Sequence, residues 1–232
     1  MAVSVDTVYQ RVLAAANKEQ RGYITPQEFN LFANQAQMDI FEQYFYDLNA
    51  FGRIPGNDTT YADMVDMLQE KIDYFEKYRQ TVSMTGNDGV LPSHYRMGEL
   101  YYLKSGRYNE IEKIKQNDMH HMLNSPLTQP TETRPMYVNT THVAIVVYPT
   151  TITSNVFCNY IARPANVVWN YTVVNESALY NASTSTDFEL HPSEESELVI
   201  KILELAGISI KEPALSEYAH REDITNIQQE KQ

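Results

Sequence analysis

YITPQEFNLFANQAQMDIFEQYFYDLNA, residues 23–50, is the stretch from which the fold is read. Thr25, Pro26 and Glu28 form a capping-box pattern, with Thr25 as N-cap, Pro26 as first helical residue and Glu28 reaching back to the cap. Ile24 before the cap and Phe29 after it are placed to form a hydrophobic staple. Phe29, Phe32, Ala33, Ala36, Ile40, Tyr44 and Leu48 then recur at three- and four-residue steps, the period of an apolar helical stripe. The small Ala33 and Ala36 predict close approach of a second helix.

Working outward, residues 6–16 predict a short helix with Val8, Val12 and Ala15 or Ala16 on one face, joined to the main helix by NKEQRGY (17–23). FGRIPGNDTT (51–60) is a break. Tyr61, Val65, Leu68, Ile72, Phe75 and Val82 then step by four and three, interrupted at Arg79, and predict a third helix over residues 60–82. Beyond it, the turn signals at Gly86–Gly89, Met97-Gly98 and Ser105-Gly106 divide residues 83–113 into short strands, and 117–124 can form a turn or two of helix. The β-rich runs MYVN, THVAIVVYP, SNVFCNYIARP and NYTVV follow, with DFEL as a further partner and HVAIVV as the candidate central strand. SEESELVIKILELA (193–206) returns to helix, capped by His191 or Ser193, with Gly207 as its left-handed terminus.

The expected fold class is α+β: a helical bundle of three N-terminal helices plus a C-terminal helix, with an inserted β-rich region. The corresponding segments are 1–82 (N-terminal bundle), 83–190 (β-rich insertion), 191–210 (C-terminal helix) and 211–232 (polar tail or arm).

The 232 residues suffice for one or two domains, and 43% apolar with 21% charged residues describes a globular chain. No run of 18 apolar residues is present, so no membrane helix is expected. The opening MAVSVDTVYQRVL lacks the pattern of a signal peptide, and a single cysteine, Cys158, fits a reducing compartment. The net charge of −12 argues against a grip on nucleic acid. It is uneven: from Asp187 to Gln232 eleven acids stand against four bases, which reads as a solvated acidic face.

Chemistry-bearing motifs are few. NKEQRGYITPQE (17–28) matches an EF-hand frame, with Gly22 at position 6 and Glu28 at position 12. However, Arg21 occupies a ligand position, and the capping box accounts for Thr25 and Glu28 without calcium. His120-His121 are adjacent and therefore about 100° apart on a helix, which is poor for sharing a metal. His94, His142, His191 and His220 are scattered, and Cys158 in VFCNYI reads as a buried small hydrophobe. Phosphate-loop, dinucleotide, zincin and nucleophile-elbow motifs are missing, and 8 glycines leave little material for phosphate-cradling loops. The five N-x-[ST] triplets at Asn57, Asn139, Asn170, Asn175 and Asn181 read as polar loops. No catalytic, cofactor-binding or metal residue is assigned, no cofactor is implied, and a non-enzyme is expected. The 17 tyrosines, ten of them between Tyr23 and Tyr108, suit subunit contacts, since a tyrosine offers large area with a wet end.

Three passages carry a family likeness: VYQRVLAAANKEQRGYITPQEFNLFANQAQMDIFEQYF (8–45), YIARPANVVW (160–169) and DFELHPSEESELVIKILELAGI (187–208). Together they resemble virion structural proteins of crAss-like and related short-tailed bacteriophages, over most of residues 5–210. The chain departs from that pattern in having Val167 and Val168 where the family carries a further proline before Trp169. The resemblance implies a ring-forming subunit of the head–tail connector, of the adaptor or tail-ring type. Its expected partners are about twelve copies of itself around a DNA channel, the portal protein and adjacent tail proteins, with DNA passing unbound and no membrane contact. The implied location is the virion, after synthesis in the host cytoplasm. Two alternatives belong to other classes: a tail-associated receptor- or glycan-binding module using the Tyr- and Trp-bearing β region, and a calcium-binding helix-loop-helix protein.

Overall fold

The computed structural model describes residues 3–18, 24–51, 64–174 and 177–210. The chain divides into two units, Met1–Tyr74 with Pro164–Gln232, and Phe75–Arg163.

The first unit is built on α2 (Pro26–Phe51). Its start is the capping box: Glu28 accepts from the Thr25 N–H at 2.9 Å and from the Thr25 hydroxyl at 2.8 Å, while the Glu28 N–H donates back to Thr25 Oγ1 at 3.3 Å. Ile24 and Phe29 are both buried, as the staple requires. Phe29, Ala33, Ala36, Ile40 and Tyr44 are buried in the order the stripe predicts, and Phe41 and Phe45 widen the buried arc. Against α2 pack α3 (Met64–Asp73) and α5 (Glu195–Ile210), and α1 (Val5–Lys18) packs on α5. His191 caps a 3-10 turn, Pro192–Glu194, that leads into α5. Leu198, Ile202 and Ala206 supply the buried face of α5.

The second unit is an eight-stranded mixed sheet. Its strands are β1 (Glu76–Thr81), β2 (Ser83–Thr85), β3 (Asp88–Val90), β4 (Arg96–Lys104), β5 (Arg107–Lys113), β6 (Met136–Asn139), β7 (Ala144–Tyr148) and β8 (Val156–Ile161), in the order β1-β8-β4-β5-β6-β7-β3-β2. The two ends of that order, β1 and β2, are halves of one run joined at Val82, whose N–H donates to the Val156 carbonyl at 2.9 Å. The ladder therefore returns on itself as a nearly closed barrel. All pairings are antiparallel except β5 with β6, and the crossover that a parallel pair needs carries α4 (Gln116–Asn124). The interior is filled by Leu100, Ile111, Ile145, Val147, Val156 and Cys158, among others. A smaller cluster of Ile114, Met119, Met136 and Val138 seats α4. Ser105 (φ 51°) and Gly106 (φ 78°) form the two-residue hairpin turn between β4 and β5.

These elements overturn the expectation of a helical bundle with a subordinate β insertion. The β-region is a unit in its own right, an eight-stranded, barrel-like sheet with its own core, and the helices surround a separate core. The predicted third helix stops at Asp73, and its continuation is β1. Phe75 and Val82 keep heptad spacing but are buried in the β unit, so their seven-residue separation is coincidental to a strand and its bend. Met97-Gly98 lies inside β4, where the register against β8 shifts between Met97 and Leu100. A Cβ on Gly98 would sit 2.9 Å from the Asn159 carbonyl oxygen, so glycine here marks a bulge and close backbone approach, not a turn. Gly207 lies within α5, since that helix runs on to Ile210. Strand β7 is interior to the sheet but buries alternate residues, Ile145 and Val147. NYTVV pairs as β9 (Tyr171–Val174) only with β10 (Ser177–Tyr180), in the helical unit, and the DFEL residue Phe188 bridges Val3. Residues 211–232, the expected arm, lie outside the described residues, as do Tyr61 and positions 19–23 of the EF-hand frame.

Candidate functional site

Among the described residues no group of three or more His, Cys, Asp or Glu side chains is arranged to hold a metal ion. In the calcium frame, Glu28 is already engaged by Thr25. His120 and His121 are both exposed on α4. Folding does bring together two histidines that the sequence left apart: His94 and His142 lie with ring centroids 4.5 Å apart, beside Tyr160. His94 Nδ1 is 2.8 Å from the Pro92 carbonyl, so one ring nitrogen is occupied and the pair offers too few donors for a metal centre. Cys158 is fully buried, its thiol donating to the Gln80 carbonyl at 3.5 Å. Burial pushes that thiol up to about 11, away from the thiolate that nucleophilic chemistry needs.

In the helical unit the most specific polar construction is structural. Asn30, Asn34 and Gln37 lie on one face of α2 and act as a side-chain ladder for the extended run 165–169. Asn34 donates to the Val167 carbonyl and accepts from its N–H, both at 2.8 Å. Asn30 does the same for Trp169, at 3.2 and 2.8 Å. Gln37 donates to the Ala165 carbonyl at 2.8 Å and accepts from the Glu189 N–H at 3.1 Å. The Val168 N–H meanwhile donates to the Thr186 carbonyl. Proline at 167 or 168 would delete one of these donors, which accounts physically for the lack of proline at both positions. Trp169, 3% exposed, packs on Tyr9 (4.4 Å) and against Tyr171 and Tyr180, and its indole N–H donates to Asp6 at 2.9 Å. It therefore presents no free face for a sugar.

The surface with the character of a contact site is on the barrel. Register fixes which side chains point outward: Leu100, Ile111 and Cys158 are interior, so their neighbours Tyr101, Glu110 and Phe157 are on the outer face. Tyr108, paired with Leu103, joins them. Strand β1 pairs only with β8, every residue of it is exposed, and its register shifts between Lys77 and Gln80. That bulge holds Arg79 at φ 53°, with its N–H donating to Asn159 Oδ1 at 3.0 Å. The guanidinium is 4.7 Å from the Tyr108 ring centroid and 5.9 Å from that of Tyr78, within cation–π range. Tyr101 donates to Glu99, and that hydrogen bond pushes its phenol up to about 12. Tyr78 is 72% and Tyr108 45% exposed. Beside them, where β1 and β4 both bulge against β8, opens a cleft of about 310 Å³ lined by Lys77, Tyr78, Arg96, Met97, Gly98 and Tyr160. It contains no activated nucleophile. The sequence showed the tyrosine density but not this grouping, since Arg79 and Tyr108 meet only through the β1-β8-β4-β5 strand order.

No protein-family model and no curated protein sequence matches the chain.

Proposed function

We propose that the chain is a non-enzymatic, ring-forming subunit of a phage head–tail connector or tail ring, surrounding the channel through which DNA passes. The observation that supports this beyond the sequence resemblance is the Tyr78–Arg79–Tyr101–Tyr108 face. Large, half-wet aromatics grouped around an arginine on a rigid sheet are the composition of a protein–protein contact. Its partners are further copies of the chain, about twelve in a closed ring, together with the portal and neighbouring tail proteins. The overall acidic charge suits a channel that DNA traverses without being held. A glycan-binding role finds less support, because its tryptophan is consumed by packing.

Electron-microscope class averages of the tagged protein pulled from infected-cell lysate test this directly. End-on rings with a portal partner are the expected result. A lone monomer that brings down no virion protein would sink the structural role.

A further inference from the structure

The formal charge is divided between the two units. Residues 75–163 carry nine Lys and Arg against seven Asp and Glu, a balance of +2, and the remainder carries nine against twenty-three, a balance of −14. Copies of so acidic a chain repel one another at most contacts. The pairing that escapes this sets the barrel unit of one copy against the helical unit of the next, since complementary potentials then favour encounter.

Two local surfaces match that polarity. On the barrel, Arg79 is oriented by its bulge and by two tyrosine rings, and among the described residues it forms no ion pair with a carboxylate. On the helical unit, α2 has one exposed stripe, Leu31, Gln35, Asp39, Glu42 and Tyr46, at steps of four, four, three and four, within which Gln35 donates to Asp39 at 2.7 Å. Leu31 is 72% and Tyr46 70% exposed, so the stripe has an apolar group at each end and two carboxylates in the middle. It extends about 22 Å at the helical rise of ~1.5 Å per residue. A cation on one surface thus faces two carboxylates on the other.

We infer that the Arg79 face of the barrel docks on the outer stripe of α2 in a second copy, head to tail, with the guanidinium meeting Asp39 and Glu42. This rests on the ring-subunit role and specifies its contact, because a heterologous interface repeated about an axis closes a ring. The α2 stripe paired with itself would oppose carboxylates. Strand addition at the β1 edge is disfavoured by the bulge and by Lys77, so the contact is made through side chains.

The test uses the full chain in two singly substituted versions, Tyr108→Cys and Asp39→Cys, co-expressed in infected cells and treated with a short bis-maleimide. Cys158 is buried and gives the background. A crosslinked dimer is expected in the mixture and in neither version alone. No dimer in the mixture, or a dimer in the Tyr108→Cys version alone, overturns the head-to-tail contact. Wild-type rings without the crosslink would overturn the contact while leaving the ring role standing; the crosslink without rings would do the reverse. Arg79→Glu in the Tyr108→Cys version is expected to abolish the crosslink, and adding Glu42→Arg to the Asp39→Cys version to restore it; failure of that charge swap to restore it counts against the pairing of these residues.

Discussion

At the scale of single residues, the amides of α2 show how a helix can satisfy a segment that belongs to no sheet. Asn34 closes two hydrogen bonds with Val167, one to each backbone polar group. Replacing it by leucine leaves a donor and an acceptor half-buried without partners, at a cost of about 1–3 kcal/mol. Asn34→Leu should therefore lower the urea midpoint of the Trp169 fluorescence transition without changing its slope. Glu28 makes a second prediction. Its carboxyl is held below the usual range, first by the Thr25 backbone N–H and second by the Thr25 hydroxyl. A depressed folded-state pKa gives stability that is full above the unfolded value of about 4.3 and is lost as pH falls through the folded one. Wild-type stability should fall over that acid range more steeply than that of Glu28→Gln, in denaturant titrations at stepped pH.

At the scale of elements, α3 and the entry to α5 are joined by an ion pair out of water. Lys71 Nζ lies 2.7 Å from Glu194 Oε1, with Glu194 3% exposed, and the same ammonium sits 5.6 Å from the Tyr44 ring centroid on α2. Three elements therefore meet at one charge. Removing Lys71 leaves the buried Glu194 with the Ser193 hydroxyl at 2.9 Å but no countercharge, and Lys71→Met should destabilise by up to about 3 kcal/mol, the lower end for breaking a buried pair. Replacing both, as Lys71→Met with Glu194→Leu, should recover most of that loss. Equal losses in the single and double variants would show that packing of the stems, not the charge pair, joins the elements. By contrast, Lys104–Glu132 ties the β4–β5 turn to the 131–134 turn on the surface, where solvent screening leaves an ion pair little net effect.

For the molecule as a whole, the two units carry separate reporters. The sole tryptophan, Trp169, is in the helical unit, and the sole cysteine, Cys158, is in the barrel. Each unit has a core of its own, so their transitions need not coincide. Denaturant titration followed by Trp169 fluorescence and by Cys158 reaction with a thiol reagent should give two distinct midpoints. A single shared midpoint would mean that the units unfold as one. The native protein should be unreactive at neutral pH, because the thiol is fully buried and its pKa is raised to about 11.

Where local chemistry decides a structure, this sequence was sufficient by itself. The capping box at Thr25, the staple of Ile24 and Phe29, the buried order along α2 and the Ser105-Gly106 turn all depend on residues within a few positions of one another. The strand character of residues 83–113 and the burial of Cys158 were legible for the same reason, although the break expected at Met97-Gly98 lies inside β4. What tertiary structure alone decided was how those strands were joined. The strand EKYRQT puts charge and tyrosine outward, so no apolar run announced it, and the heptad spacing of Phe75 and Val82 imitated a helix. The barrel exists because β1 and β2 are one run bent at Val82 and shared between both ends of the ladder, a pairing set by contacts distant in sequence. The meeting of Arg79 with Tyr108 and the amide ladder from α2 to Trp169 follow from the same kind of long-range pairing. The chain's residues specified both, but only the folded backbone placed their partners within reach.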